Sequence, residues 1–192
     1  AEINALLKWL NRIDNSDWLP SAMKFLAEHE NDAAYVHWFL RKLERLAACM
    51  HICGYDVNAR IERYATLLRA MEKSHSMASP VTAVELTAYE QSTLRRVLQS
   101  DIYLMTARRR NYLILRLDSF LVDGAATYDP TVLTIEHVLP QTVNEGSVWA
   151  TQWPNVSDRI LWQHRLANLV PLTQRRNSQA QNYDFERKKK AY

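Results

Sequence analysis

The chain has 192 residues, 47% hydrophobic and 23% charged, with Lys+Arg 24 against Asp+Glu 21 for a net charge of +3. That is enough for one ordinary domain or two small ones with a real core, and no apolar run approaches the roughly 20 residues of a membrane helix. The three glycines, Gly54, Gly124 and Gly146, stand far apart, which excludes a P-loop or a dinucleotide fingerprint, while the mild positive charge points weakly to anionic partners.

Helices dominate the first two-thirds. Ile3, Leu6, Leu7, Leu10 and Ile13 recur at helical spacing, and Pro20 suits the first turn of a second helix. From about Asp32 a long amphipathic pattern runs through Trp38, Phe39, Leu43, Leu46 and Met50 to Gly54, a residue able to end it. Cys49 and Cys53 fall one turn apart on it. Two thiols cannot make a four-ligand zinc set or a disulfide scaffold, so they are expected to be buried free thiols in a reducing cytosol. Asp56 is a candidate cap for a further helix carrying Ile61, Tyr64, Leu68 and Met71. The stretch from Ser74 to Val81, with Pro80, is the clearest break. The pattern begins within a helix at Ala1, without an initiator Met or a signal segment, which suits a piece of a longer protein.

Beyond the break, Thr87 is placed to cap a helix through Leu94, Val97 and Leu98, and another helix is expected from about Thr106 to Val122, stopping at Gly124. Arg108, Arg109 and Arg110 open that helix, either as a solvated face or as a DNA contact, since arginine suits phosphate. After Pro130 the texture changes. Val132 to Ile135 form a β-branched run, and an irregular loop holds Trp149, Trp153 and Trp162. A second apolar run spans Leu166 to Leu172 and contains Asn168, and the polar-to-basic tail is expected to be helical. The expected fold is mainly α: a helical bundle over residues 1–125, then a compact ββα unit over 126–192.

Glu136 and His137 end the first predicted strand, Asn168 lies on the second, and Asn177 follows where the last helix starts. Phosphodiester hydrolysis needs a base for water, charge neutralisation at phosphate and stabilisation of the leaving oxygen. A histidine suits the first task. A carboxylate with an amide oxygen suits Mg²⁺, which serves the other two. In a regular strand, however, Glu136 and His137 point to opposite faces, so a shared site requires the strand to bend, and Pro140 permits an early exit. His29, His37, His51 and His75, scattered over the helical part, are assigned no chemistry.

Glu136-His137-Val138-Leu139-Pro140-Gln141 resembles the first motif of HNH, or His-Me finger, nucleases. His164 to Leu169, and Arg176-Asn177-Ser178 through Asn182, Phe185 and Lys188-Lys189 to Tyr192, resemble one branch in particular. It is the carboxy-terminal nuclease domain of GmrSD-type modification-dependent restriction enzymes, found also in phosphorothioate-sensing Ssp-type defence nucleases. The segment Tyr112 to Asp118 resembles, less specifically, the helical part that accompanies it. The resemblance implies His137 as general base, Glu136 and Asn177 as ligands of one Mg²⁺ (or Mn²⁺ in its place), and Asn168 as a brace that orients the histidine. Ala167 stands where the family pattern has Gly, and Asn177 where many relatives have His.

The resemblance further implies a bacterial, cytoplasmic defence protein that nicks phage or modified DNA, leaving 5′-phosphate and 3′-hydroxyl ends. It also implies an amino-terminal, nucleotide-hydrolysing sensor domain elsewhere in the same protein, and no membrane. His164, Arg175, Arg176, Lys188 and Lys189 are candidate DNA contacts. His164 reads equally as a structural histidine, and Lys188, Lys189 and Lys190 as cations at the negative end of a helix. Two rivals stand beside the nuclease: a catalytically silent DNA-binding module and a helical protein-interaction module.

Overall fold

The structure is a computed structural model that describes residues 2–73, 75–121 and 133–190. The chain is mainly helical and ends in an antiparallel strand pair packed against a helix, a ββα arrangement as expected. It divides into two compact units, Ala1–Arg95 and Arg96–Tyr192. The expected division between 125 and 126 falls outside the described residues, as do Gly124, the end of the preceding helix at Val122, Val132, Ser74 and Tyr192.

The first unit is built on α3 (Ala33–Cys53), against which α1 (Glu2–Leu10) and α2 (Leu19–Glu28) pack. Its ends are set locally. The Asp32 side chain accepts from Tyr35 N at 2.9 Å, and Gly54 takes a left-handed φ of 71° to stop it. Tyr35, Phe39, Leu40, Leu43, Leu46 and Met50 line its buried side, and Phe25 of α2 stacks flat on Phe39 at 3.7 Å. Cys49 is buried and Cys53 half-buried, both free thiols; a hydrogen bond with Cys53 and then burial push the Cys49 thiol up.

Asp56 caps α4 (Val57–Ala70) through Ala59 N at 2.9 Å. Its buried side is Tyr64 and Leu67, continued by Met71, whereas Ile61 is exposed and Leu68 half-buried. The stripe is therefore rotated from the expected one, because α4 packs against both α2 and the Thr82–Val84 turn, and those neighbours select the buried side. The segment after α4 turns at Ser76–Ser79, and Tyr35 Oη accepts from Val81 N at 3.1 Å, which pins its exit to α3. Thr87 and Glu90 then start α5 (Ala88–Leu98) with a reciprocal capping box: Glu90 N donates to Thr87 Oγ1 and Thr87 N to Glu90 Oε2.

The second unit contains α6 (Ala107–Leu121), with Tyr112 to Leu115 buried, and the strands β1 (Leu133–His137) and β2 (Leu169–Thr173). The register pairs Thr134 with Leu172, Glu136 with Val170 and His137 with Leu169. Between the strands, where the sequence suggests an irregular loop, the chain makes two short helices, α7 (Val148–Gln152) and α8 (Val156–Gln163). Ser147 and Asn155 cap them, so the polar residues that suggest loop are helix starts. β2 begins three residues later than predicted because Leu166–Asn168 forms a 3₁₀ turn. The tail is helical as expected: α9 (Gln174–Ala180), which covers both strands, and α10 (Phe185–Lys188).

Candidate active site

β1 stays paired through its last residue, so the pleat sends successive side chains to opposite faces. Thr134 and Glu136 face α9, as do Val170 and Leu172, the latter packing on Ala180. On that face Asn177 Nδ2 donates to Thr134 Oγ1 at 2.8 Å, which places its amide beside the strand. Glu136 is buried and forms an ion pair with Lys188 of α10, Nζ to Oε1 at 2.7 Å. The same ammonium donates to His137 O at 2.6 Å and Val138 O at 3.1 Å. Lys188 is thus fully buried inside the unit, in contrast to the exposed position expected of a DNA contact.

The His137 ring leaves by the other face. Its Nε2 lies 3.4 Å from His164 Nδ1, its Nδ1 lies 3.2 Å from Gln141 Nε2, and the Tyr103 ring meets it edge-on at 4.2 Å. Tyr103 also lies nearly parallel to His164 and takes the Arg110 guanidinium 4.6 Å from its ring centre. Arg110 donates to Tyr103 O at 2.8 Å, and Tyr103 N to His164 O at 3.1 Å, so the aromatic trio is tied together through the backbone. Burial first, then the charges of His164, Lys188 and Arg110, push His137 down to about 4. At neutral pH the ring is therefore uncharged, the form a proton acceptor needs.

Asn168 is buried at the end of the 3₁₀ turn rather than on β2. Its Oδ1 accepts from Leu139 N at 2.6 Å, its Nδ2 donates to Leu139 O and Gln163 O, and its backbone O accepts from Val138 N. It clamps the two residues after His137 to the segment that carries His164. The structure puts Glu136 with Lys188, and Asn177 beside Thr134, on one face of β1, and His137, His164 and Gln141 on the other. Arg175, Arg176 and Lys189 are exposed, with Lys189 paired to Glu186 at 2.7 Å. Tyr103 and Gln141 have no site role in the sequence reading, and Arg110 enters it only within the arginine run that is either a solvated face or a DNA contact. Gln141 was legible as the end of the Glu136-His137 motif, whereas Tyr103 carries no local signal.

Among the described residues no group of three or more His, Cys, Asp or Glu is arranged to hold a metal. Glu136 and Asn177 nevertheless offer one carboxylate and one amide oxygen from neighbouring elements of a single face. Lys188 takes Oε1 of the carboxylate, leaving Oε2. Such a sparse, all-oxygen set fits Mg²⁺, which keeps several waters and is often bound through one or two carboxylates plus substrate phosphates.

A family model described as GmrSD restriction endonucleases, C-terminal domain, matches residues 88–192. The match spans more than half of the chain and includes every residue of both faces described above. No curated protein and no solved structure matches.

Proposed function

The chain belongs to the family of GmrSD restriction endonuclease C-terminal domains, and from that premise we propose that it is a metal-dependent DNA endonuclease with His137 as general base. The family marks it as a nuclease domain of a restriction protein, with DNA as its substrate. The observation that carries the finer reading is the buried His137 ring at the end of β1, held between Gln141, His164 and Tyr103. With the Gln141 amide oxygen turned toward Nδ1, that nitrogen keeps its proton and Nε2 presents the lone pair; the two amide orientations have the same shape. Nε2 then takes the proton of the attacking water, replacing its long contact to His164. Asn168 holds the following loop so that the ring keeps this direction.

A divalent cation held by Glu136 and Asn177 supplies charge stabilisation at the scissile phosphate and the leaving 3′ oxygen. Glu136 adjoins His137 in the chain, and Asn177 stands beside Thr134, two residues before Glu136 on the same face; in this reading the bound phosphate spans from that face to the His137 ring. Exposed Arg175, Arg176 and Lys189, with His164 beside the base, bind the backbone, which makes cleavage largely independent of sequence. One such site cuts one strand per engagement, leaving 5′-phosphate and 3′-hydroxyl ends. In the cell the domain acts on phage or modified DNA in the bacterial cytoplasm, with sensing supplied by an amino-terminal, nucleotide-hydrolysing part of the same protein.

Relaxation of supercoiled plasmid with Mg²⁺ or EDTA tests this. Metal-dependent nicking by the native chain, lost in His137→Ala and in Asn177→Ala, is the expected result. Nicking that survives His137→Ala sinks the mechanism. DNA bound but never cut, under any metal, identifies a silent binding module, the rival that the Lys188–Glu136 ion pair favours.

A further inference from the structure

Lys188 is built into the site. An ammonium is costly to bury unless it is paired and fully hydrogen-bonded. Here its three protons meet three oxygens, Glu136 Oε1, His137 O and Val138 O. The seat is a prepared one: Asp184 caps α10 by accepting from Arg187 N at 3.0 Å, and the Trp149 ring centre lies 6.0 Å from the ammonium. Trp149 is itself fastened, its Nε1 donating to Tyr183 O at 2.8 Å.

The electrostatic consequence falls on the candidate cation site. The Glu136–Lys188 pair sums to no net charge, so a divalent ion approaching Oε2 and the Asn177 amide meets a carboxylate already neutralised at 2.7 Å. Two ligands with no net charge compete poorly with the water shell of a small divalent ion. A DNA phosphate supplies the negative charge that the protein lacks. Resting on the nuclease reading above, we propose that Lys188 makes cation binding depend on DNA: it cancels Glu136 in the free protein, and the site loads its ion together with the substrate. Lys188 is in this sense a positioning residue. It also fixes the backbone on which His137 stands, so that DNA-free protein is held in shape yet without a charged site.

The test is an Mn²⁺ titration followed by the free-ion paramagnetic resonance signal. It uses the 192-residue chain carrying His137→Ala, so that duplex DNA is bound without being cut, and subtracts the uptake of DNA alone. Affinity is expected to rise by about tenfold or more when DNA is added. Lys188→Met in the same background raises the DNA-free affinity by about tenfold and shrinks the effect of DNA, whereas Lys188→Arg keeps the original pattern. Equal affinity with and without DNA overturns the proposal, and this comparison needs no change at Lys188, so it stands even where Lys188→Met does not fold. Unchanged DNA-free affinity in a Lys188→Met chain with a native circular dichroism spectrum overturns it as well. Those results leave the ligand assignment intact. Mn²⁺ binding that survives Glu136→Gln, or no uptake beyond that of DNA alone, removes the assignment and this proposal with it.

Discussion

Asn168 and Glu90 illustrate what a single polar side chain does when every partner is provided. Asn168 makes side-chain hydrogen bonds to both polar backbone atoms of Leu139 and to Gln163 O. Asn168→Ala strands those groups inside the unit and is expected to cost about 2–4 kcal/mol in urea unfolding. Asn168→Asp is expected to fail as well, since it keeps the acceptor and loses both donated bonds. Glu90 is buried with Arg63 Nε at 2.7 Å and Thr87 N at 2.7 Å. Burial pushes its carboxyl up, yet the Arg63 and Thr87 hydrogen bonds outweigh burial and hold it below its ordinary value of 4.5. A carboxyl depressed by folding stabilises the fold above its unfolded value, and that contribution disappears as pH falls through the folded value. Glu90→Gln is therefore expected to be less stable than the native chain at pH 7. The gap should narrow as urea titrations are taken below pH 4.5, and a constant gap would reject the ion pair as its source.

Among the elements, those bounded by caps were legible in the sequence and those bounded by packing were not. Asp32, Gly54, Asp56 and Thr87 mark the ends of α3, α4 and α5 through bonds to atoms within a few residues. Gly54 at φ 71° is the sharpest of these. Gly54→Ala places a Cβ in the left-handed region and is expected to cost roughly 1–2 kcal/mol, read as a lower unfolding midpoint at unchanged slope. α7 and α8 escaped the sequence reading because each is too short for a helical stripe to rise above its polar caps. The rotation of the α4 stripe escaped it too, since Leu67 and Leu68 are equally apolar and only the packed neighbours, α2 and the Thr82–Val84 turn, choose between them. Asn168 belongs to a 3₁₀ turn for a related reason: its side chain bonds to Leu139, distant in sequence, where a local pattern cannot reach.

At the scale of the molecule, the basic residues sort by burial rather than by type. Lys188 is spent inside the fold, whereas Arg175 lies exposed on α9, two residues from Asn177. Arg175→Ala is expected to weaken DNA binding about equally for all sequences and to reduce the slope of log affinity against log salt by about 1. Lys188→Met, by contrast, should leave that slope unchanged. A preference for one sequence lost with Arg175 would mean that it reads bases. Among the described residues no helix is long and apolar enough to cross a membrane, and the three glycines stand too far apart for a P-loop.

The sequence by itself determined the mainly helical class, the caps and the ββα order, because helical periodicity, capping and β-branched runs act over a few residues. It also marked Glu136, His137, Asn168 and Asn177 as a set, since their order along the chain carries the resemblance that the family match supports over residues 88–192. Only the tertiary structure decided which face of β1 each residue occupies: pairing continues through His137, so no bend unites its ring with the Glu136 carboxylate. Likewise, three consecutive lysines look alike in sequence, and it is the turn of α10 against the strand end that drives Lys188 inward onto Glu136 and leaves Lys189 and Lys190 in water. A charge finds its partner through space, across a separation of 52 residues here, and no local pattern records that distance.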